Sequence, residues 1–515
     1  MCALYANTIG HAGSFQPQAL TQSENWLQAA EQALEAVGRE KGKSSPLGHS
    51  SENLTRSFLD LSRAYVAYWK GEPPQAVIDL AQKGLAGLPP EAEENRDPNF
   101  QRFRSGLINN LGLSYLALGD EDAAIRAYKE AQRIGEACGD LLNMYSAIAN
   151  QSLILRRHGR LHDAANLCRK AIGGTEESPC RLERSIPYLG VVYASLGRIL
   201  LEWNDLDAAE RVLSRSLELS RLMAAAEGRI ESSLGLAWLK LARRDFTGAS
   251  DLLDQLQDLD SPKARALIAA MRVRLYLAQS SEKPDLLRKA MRWAEGKTFT
   301  PTGLFWQMPE LLALARVRIA ERSSAAQSGD IPLPELGPLM RFLEDQLKKA
   351  GNQDLVERMV ELHILRALAW QAQNEVSQAL DSLQRALSLA EPAGYIRLFV
   401  DEGLPMRRLL TKLKTHNSRI NDYIIKLLSV AGWGGTILSP GISQSSMVEL
   451  LSQRELEVLQ LLAEGASNAD IARKLFITLN TTKKHVTHIF EKLAVTDRAG
   501  ATRRAREIGL LASRN

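Results

Sequence analysis

The sequence predicts an all-α protein in which a long array of helical repeats precedes a small four-helix domain. From about Ala19 to Ala393, alanine, leucine, glutamate, arginine and glutamine predominate, and no segment alternates apolar and polar residues as a strand would. A short turn followed by an alanine recurs along this region. The chain has 515 residues, which is long for one domain, so several domains or a repeat array are expected.

The beginning of the chain predicts one helix. Residues 1–18 carry no helical pattern and are predicted to be disordered or irregular. They also lack the charged start and apolar run of a signal peptide, and no apolar stretch of about 18 residues follows anywhere, so a soluble, cytoplasmic protein is predicted. An amphipathic helix that completes a leading repeat is predicted from one apolar face, formed by Trp26, Leu27, Ala30, Leu34 and Val37.

The clearest repeat unit spans residues 111–131. Its Leu-Gly and Tyr fall on a first helix, and an alanine, an aromatic residue and an alanine fall on a second, which is close to the tetratricopeptide pattern. Small residues let two antiparallel helices approach, and large ones fill the gap to the next pair. A plain helical bundle with core alanines is the alternative. Weaker copies pair a turn residue with an alanine: Gly71 with Ala76, Gly159 with Ala164, Asn204 with Ala209, Arg244 with Ala249, and Asn374 with Ala379. The alanines at 76, 124, 164, 209 and 249 give a period of 40 to 48 residues.

Two further features of the array are predicted. The series SSAAQSGDIPLP, within about Ala320 to Pro334, is typical of a loop, at which the array would bend or break. Tryptophans on or near the first helices more often pack in the core or groove than contact a ligand; these are Trp69, Trp203, Trp238, Trp306 and Trp370.

Four short helices are predicted between Leu451 and Leu511. Capping residues and glycines define their ends. The predicted boundaries are Ser452 with Glu455, and Gly465, for the first helix; Asn468 as the cap of the second; Thr478 to about Leu493 for the third; and Arg498 to about Ile508, before Gly509, for the fourth.

The third of these helices carries the chemistry. At 100° per residue, one arc is predicted to pack inward; it comprises Thr482, Val486, Ile489, Phe490 and Leu493. The opposite arc comprises Lys484, Thr487, His488 and Glu491, with Lys483 on its flank. A recognition helix needs donors for base edges or phosphates in its first two turns, and Lys483, Lys484 and Thr487 supply them. A lysine pair on an ordinary solvated helix face is the alternative.

The charge distribution agrees with this interpretation. From Leu450 to the end there are 11 Lys and Arg residues and 7 Asp and Glu residues, whereas residues 1–449 contain 53 basic and 53 acidic residues. The whole formal excess of +4 therefore lies in the last domain. An excess of positive charge in one domain is typical of a domain that binds a polyanion.

The spacing of these residues resembles the LuxR-type helix-turn-helix of bacterial transcriptional regulators. The matching positions include Arg454, Glu455, Gly465, Ser467, Asn468, Ile471, Leu475, Thr481, Lys483, His485, Ile489, Leu493, Val495, Arg498, Ala501 and Gly509. Thr482 and Thr502 stand where that family commonly has valine, so each hydroxyl needs a partner if it is buried. The resemblance implies two sets of DNA-contacting residues: Lys483, Lys484 and Thr487 near bases, and Asn468, Thr478, Thr481 and His485 on phosphate.

The array, together with residues 391–413, resembles the C-terminal half of the large MalT-like regulators. Those regulators carry a nucleotide-hydrolysing module before the repeats, whereas this sequence starts inside the array, as expected of a shortened relative, a split-gene product or the remainder of a longer reading frame. A Gly- and Ser-rich stretch predicts a flexible tether. The predicted division is an irregular N-terminus at 1–18, a repeat domain for sensing or interaction at 19–430, a flexible linker at 431–449 and the DNA-binding domain at 450–515.

No enzymatic motif is found. The segment Gly38–Ser44 resembles a phosphate-binding loop, but it has three residues between its glycines instead of four and follows a helical run rather than a strand. The cysteines show no metal-ligand spacing and are interpreted as reduced thiols; they are Cys2, Cys138, Cys168 and Cys180. We therefore predict no enzyme, no cofactor and no metal, and DNA binding that does not depend on ATP.

The sequence thus predicts a DNA-binding transcriptional regulator, an activator by its resemblance, whose array senses an effector or binds a partner. The expected partners are double-stranded promoter DNA, RNA polymerase, and a small-molecule or protein effector on the array. A homodimer on DNA is predicted through the small apolar face of Ala501, Ala505 and Ile508, although the same residues could pack against the first helix of their own domain. The alternative function is an interaction scaffold with little or no specific DNA binding.

Overall fold

The computed structural model of the chain describes residues 17–40, 49–89, 97–176, 186–222, 226–256, 262–300, 307–328, 334–413, 415, 417–431, 453–475, 479–492, 495 and 497–507. These residues form α-helices and short 3-10 turns, with no strand among them, so the all-α prediction is confirmed. They belong to two compact units, residues 1–434 and 435–515. The predicted linker lies outside the described residues except for Ala431, as do residues 1–16 of the predicted irregular N-terminus.

The helices of the first unit are α1 (Pro17–Glu40), α2 (His49–Lys70), α3 (Pro74–Ala86), α4 (Pro98–Leu118), α5 (Glu121–Cys138), α6 (Leu141–Arg157), α7 (Leu161–Glu176), α8 (Gly190–Glu202), α9 (Leu206–Leu222), α10 (Ala226–Ala242), α11 (Phe246–Asp254), α12 (Pro262–Gln279), α13 (Pro284–Ala294), α14 (Met308–Ser328), α15 (Gly337–Asn352), α16 (Val356–Ala372), α17 (Val376–Ala390), α18 (Arg397–Val400), α19 (Gly403–Lys412) and α20 (Ser418–Val430). Short 3-10 turns occur at Ile186–Leu189 and Glu391–Ala393. The helices of the second unit are α21 (Gln453–Ala463), α22 (Asn468–Lys474), α23 (Leu479–Lys492) and α24 (Arg498–Glu507).

Tight turns with a left-handed residue join the two helices of a repeat. The Gly119 amide donates to the Leu116 carbonyl at 3.2 Å, while the Asp120 carboxylate accepts from the Ala123 amide at 2.9 Å and begins the next helix. The turn residues with φ between 60° and 81° include all those predicted: Gly71, Gly119, Gly159, Asn204, Arg244 and Asn374. The alanines that follow five of these turns are at most 2% exposed; they are Ala124, Ala164, Ala209, Ala249 and Ala379. The repeat pattern of the sequence is therefore confirmed in the structure.

Close approach of the two helices of a repeat is clearest at Gly112. A Cβ atom on this residue would lie 2.6 Å from Cε1 of Tyr128, whose side chain is fully buried. The Leu-Gly pair and the aromatic residue of the repeat pattern are thus one packing contact between α4 and α5.

Replacing Gly112 by alanine is expected to lower the free energy of unfolding by about 1–3 kcal/mol, because the added methyl overpacks the contact with Tyr128. Gly173→Ala in α7 is the matched control, since no atom lies within 4 Å of the position of its Cβ. That control should stabilise by about 0.5–1 kcal/mol, the cost of glycine inside a helix. Urea unfolding followed by circular dichroism measures both, and equal midpoints for the two variants would contradict the packing argument.

The array turns back on itself, so that the α6–α7 turn contacts the α15–α16 turn. The Arg156 guanidinium lies 3.0 Å from the Glu357 carboxylate, and Nδ1 of His158 lies 3.0 Å from the Asp354 carbonyl oxygen. Val356 packs directly on Gly159, where a Cβ atom would lie 2.8 Å from it. These contacts join repeats that are separated by about 200 residues of sequence.

Residues 391–402, here called the return segment, lie against the first helices of several repeats. Three hydrogen bonds hold the backbone or side chains of its first half: the Ile396 amide donates to the Glu202 carbonyl at 2.9 Å, Trp203 Nε1 donates to the Ala393 carbonyl at 3.0 Å, and the Tyr395 hydroxyl donates to the Arg156 carbonyl at 3.0 Å. In its second half, Trp238 Nε1 donates to the Asp401 carboxylate, and Arg397 donates to the Asn204 side-chain oxygen at 3.1 Å. The return segment therefore fastens α6, α8 and α10 together.

Charged side chains are buried beside the return segment. Arg316 is 7% exposed and donates to Glu402 at 2.6 Å and to Glu361 at 3.1 Å. Glu202 is 1% exposed, and burial raises the pKa of its carboxyl to about 8. The neighbouring Glu357 carboxylate raises this pKa further, while Arg198 opposes the rise.

The raised pKa of Glu202 predicts a pH effect with a definite sign. Folding favours its protonated form, so the stabilisation is complete below pH 4.5, the ordinary value, and is lost as the pH rises toward 8. Glu202→Gln keeps the neutral form at every pH and should be more stable than the wild type at pH 8 by at least about 1.4 kcal/mol, the equivalent of one pKa unit. Thermal melting between pH 5 and 8.5 tests this, with the exposed Glu218→Gln as the control. Parallel pH curves for wild type and Glu202→Gln would refute it.

Two expectations from the sequence are corrected. The predicted loop within 320–334 is wrong up to Ser328, because α14 continues to that residue with Ala325 buried and the Ser323 hydroxyl bonded to the Ile319 carbonyl. Residues 329–333 lie outside the described part. Trp26, predicted on the apolar face of the first helix, is 39% exposed, although Leu27 is buried as predicted.

The tryptophans that can be described pack against protein groups. Trp238 is buried, with the Arg198 guanidinium 4.7 Å from its ring centroid, and Trp203 stacks on His162. Trp370 is half-buried against the core. The side chain of Trp69 and all of Trp306 lie outside the described residues. In the described part of the chain, no helix is long and apolar enough to cross a membrane.

Candidate nucleic-acid interface

The four helices of the second unit enclose one small apolar core. Its buried members are Val458, Leu459, Leu462, Ile471, Val486, Ile489, Ala501 and Ala505. Every helix of the unit contributes at least one of them, so α23 has one face fixed against its neighbours. The opposite face is left for solvent or a partner.

The turn between α21 and α22 is held by side chains. Gly465 has a φ of 87° just after α21, as predicted for the end of the first helix. Ser467, and not Asn468, caps α22: its hydroxyl accepts from the Asp470 amide at 3.2 Å, and the Asp470 carboxylate bonds back to it at 2.6 Å. This hydrogen bond from Ser467 lowers the pKa of Asp470. The prediction of Asn468 as the cap was wrong by one position, because serine at 467 already satisfies the first free amides.

Asn468 has a different role. Its side-chain oxygen accepts from the Arg498 guanidinium, which also donates to the Ala466 carbonyl at 2.8 Å. Arg498, at the start of α24, thus braces the loop before α22. The side chain of Asn468 is half-buried, and its amide nitrogen remains the group that can reach a phosphate.

The inward face of α23 is the predicted one. Thr482 and Ile489 are fully buried, Val486 is 7% exposed, and Phe490 packs against the core from the side. Leu493 lies outside the described residues. The second threonine at a position where valine was expected, Thr502, finds a partner: its hydroxyl donates to the Arg498 carbonyl at 3.0 Å.

The exposed side chains of α23 form the candidate interface, here called the recognition face and comprising Lys483, Lys484, Thr487 and His488. Neither lysine forms an ion pair within the described part of the chain. The Thr487 hydroxyl donates to the Lys483 carbonyl at 3.1 Å, so its oxygen is left to accept a bond from a base or from water. The structure therefore brings Lys483, Lys484 and Thr487 together on one surface.

The residues predicted to contact phosphate are not all exposed, and one of them lies outside the described part of the chain. Thr481 and His485 are half-buried at the edge of the recognition face. Thr478 lies outside the described residues. Contacts of Asn468, Thr481 and His485 with phosphate stay a prediction.

Sequence reasoning missed Asn480. It is exposed in the first turn of α23, four residues before Lys484 and seven before Thr487, and so lies on the same stripe. An asparagine amide can donate to and accept from adenine. The helical spacing would have revealed this residue had the arc been extended back to the first turn.

Two of the three residues of the apolar face predicted for α24 are buried within the unit. Ala501 and Ala505 are fully buried in the core of the unit, against α21 and α23. The alternative in which this face packs inside its own domain is the one observed, since only small side chains let α24 approach the larger core residues. Ile508 lies outside the described residues. Ala501 and Ala505 are therefore not exposed for a contact with a second copy, and a homodimer on DNA stays a prediction.

Comparison with known proteins agrees with this architecture. Residues 60–416 match the family described as the MalT-like TPR region. The chain belongs to the MalT-like TPR family. Residues 449–505 of this MalT-like chain match the family described as bacterial regulatory proteins, luxR family.

Two relatives of the MalT-like chain extend the match over both units. It is 22% identical over 530 residues to the HTH-type transcriptional regulator MalT of Vibrio cholerae serotype O1, which covers 98% of this chain and 55% of the relative. It is 23% identical over 496 residues to the protein of the same name from Yersinia enterocolitica serotype O:8, covering 89% and 50% respectively. The MalT-like chain thus spans about half the length of the curated relatives it matches.

Proposed function

We propose that the chain is a DNA-binding transcriptional regulator that activates its target promoters. The observation that carries the proposal is the recognition face of α23, where two lysines without ion-pair partners in the described part and a threonine project from a helix whose other face is fixed in the core. A helix of this kind fits the major groove, with its first turns toward the base edges. The family match and the names of the two relatives support the same function.

The proposed activity is binding rather than catalysis. Within it, Lys483, Lys484, Thr487 and Asn480 approach bases, while Asn468, Thr478, Thr481 and His485 contact phosphate. We further propose that the chain is divided as the sequence predicts, with a repeat domain at 19–430, a linker at 431–449 and the DNA-binding domain at 450–515. Activation would require contact with RNA polymerase. Pairing of two copies on DNA would require a surface other than the buried face of α24.

A gel-shift series against genomic fragments tests the proposal with the full chain. In excess non-specific DNA, a few fragments should be retained, and their affinity should fall steeply between about 50 and 200 mM salt, because phosphate contacts release counterions. Retention of no fragment above background would favour the interaction scaffold. Footprinting of a retained fragment then shows whether one half-site or two are protected.

A further inference from the structure

A cavity of about 620 Å³ lies between α12 and α13 in the first unit. Its floor is apolar, formed in part by Ile268 and Val273. Its size falls within the range of about 300–1,000 Å³ that is usual for small-molecule sites. None of its lining residues belongs to the recognition face or to the return segment.

Four cations and two aromatic rings line this cavity. Arg265, Arg272 and Tyr276 come from one stripe of α12, at spacings of seven and four residues. On α13, Lys289 lies three residues before Arg292 and four before Trp293, so it neighbours both on one side of the helix. The two helices therefore direct six polar or aromatic side chains toward the same space.

The positive charge of the cavity is only partly neutralised. Arg272 pairs with Asp254 at 2.9 Å. Lys289 and Arg292 are exposed and form no ion pair within the described residues. Like charges gathered around an apolar floor repel each other, and a bound anion would remove that repulsion.

The aromatic residues add a second recognition element. Trp293 is half-buried, with the Lys297 ammonium 4.9 Å from its ring centroid, and Tyr276 is half-buried beside the core. Neither the indole N–H of Trp293 nor the hydroxyl of Tyr276 bonds to a described protein atom, so both can donate to a ligand. Rings of this kind stack on flat ligands, while arginine binds carboxylate or phosphate with two parallel bonds.

We propose that the α12–α13 cavity binds a small organic anion in which a carboxylate or phosphate is attached to a flat aromatic ring. The anionic group pairs with Lys289 and Arg292 at the rim, and the ring lies on the apolar floor beside Trp293 and Tyr276. Ligand binding to this cavity can be measured directly, whether or not the chain binds DNA.

Isothermal titration calorimetry of the full chain with 1-naphthoate tests this site. One saturable site is expected, and the neutral 2-naphthol and inorganic phosphate should each bind at least ten-fold more weakly. Equal binding of 2-naphthol would show that the cavity selects apolar rings without charge. Equal binding of phosphate would show that it selects charge alone, and either result would overturn the proposal.

Two variants locate the site. Lys289→Ala/Arg292→Ala should weaken naphthoate binding at least ten-fold, whereas Arg341→Ala/Lys348→Ala, which removes one exposed arginine and one exposed lysine from α15, should leave it unchanged. Tyr276→Phe reports on the hydroxyl alone, since it retains the ring. Melting curves confirm that each variant is folded. Unchanged affinity in the first variant, or an equal loss in the α15 control, would refute the assignment.

Discussion

Replacing Lys483 and Lys484 together by alanine is expected to weaken specific DNA binding by at least about thirty-fold. One good contact to a base edge contributes about 1–3 kcal/mol, so losing two costs about 2 kcal/mol or more. The fold should be unaffected, because both side chains are exposed and neither has an ion-pair partner in the described part of the chain. Fluorescence anisotropy with a retained DNA fragment measures the change, and far-UV circular dichroism checks the helices.

The chain contains a matched control for that experiment. Lys348 and Lys349 are also adjacent and exposed on a helix, α15, and their replacement by alanine removes the same two charges. If the two double variants lose the same affinity, the effect comes from net charge and the recognition face is misassigned. If neither loses affinity, α23 is not the reading helix.

A large loss of stability is expected for Arg316→Met. Arg316 is the shared partner of Glu402 and Glu361, and this pairing lowers the pKa of the Glu361 carboxyl despite its burial. Without Arg316, the nearest remaining cation to Glu402 in the described part of the chain is Arg274 at 3.9 Å, so the buried carboxylates are poorly compensated. Removing one member of a buried charge network costs about 3–5 kcal/mol. Urea unfolding of the full chain measures this cost.

Two further variants test whether the loss of stability comes from the burial of the charges or from removing any arginine. Arg385→Ala removes an exposed arginine that lies 3.2 Å from Asp381, and it should cost at most about 1 kcal/mol. Adding Glu402→Gln to Arg316→Met should restore part of the lost stability, since one stranded carboxylate is then neutral. A double variant that is less stable than Arg316→Met would argue against uncompensated charge as the cause.

The sequence predicted local features of the array well. A left-handed turn residue and a buried alanine lie only a few residues apart, as at Asn204 and Ala209, so their pattern is visible in a short window. The return segment was not predicted to lie against the repeats. Its partners, such as Arg156 for Tyr395, are 239 residues away, and no local pattern marks a contact of that range.

The recognition helix was predictable for a similar reason. Its buried and exposed arcs follow from helical periodicity, and Thr482 and Lys484 lie where that periodicity places them. Two other features, the capping of α22 by Ser467 and the burial of Ala505 inside its own unit, could not be predicted from periodicity. Neighbouring serine and asparagine are both good caps, and a small apolar face suits a dimer as well as an interior, so only the packed structure decides between them.

The return segment bears on how the array is synthesised and unfolded. In a simple solenoid each repeat depends only on its neighbours, so repeats can fold one at a time and peel away from the ends. Here the partners of Trp203 and Trp238 are Ala393 and Asp401, which leave the ribosome long after the helices that need them. The nascent repeats are therefore expected to stay loosely packed until the return segment has been synthesised. Their final packing would then form in one late, cooperative step. A pulling force from the C-terminus would reach the return segment before the repeats that it fastens.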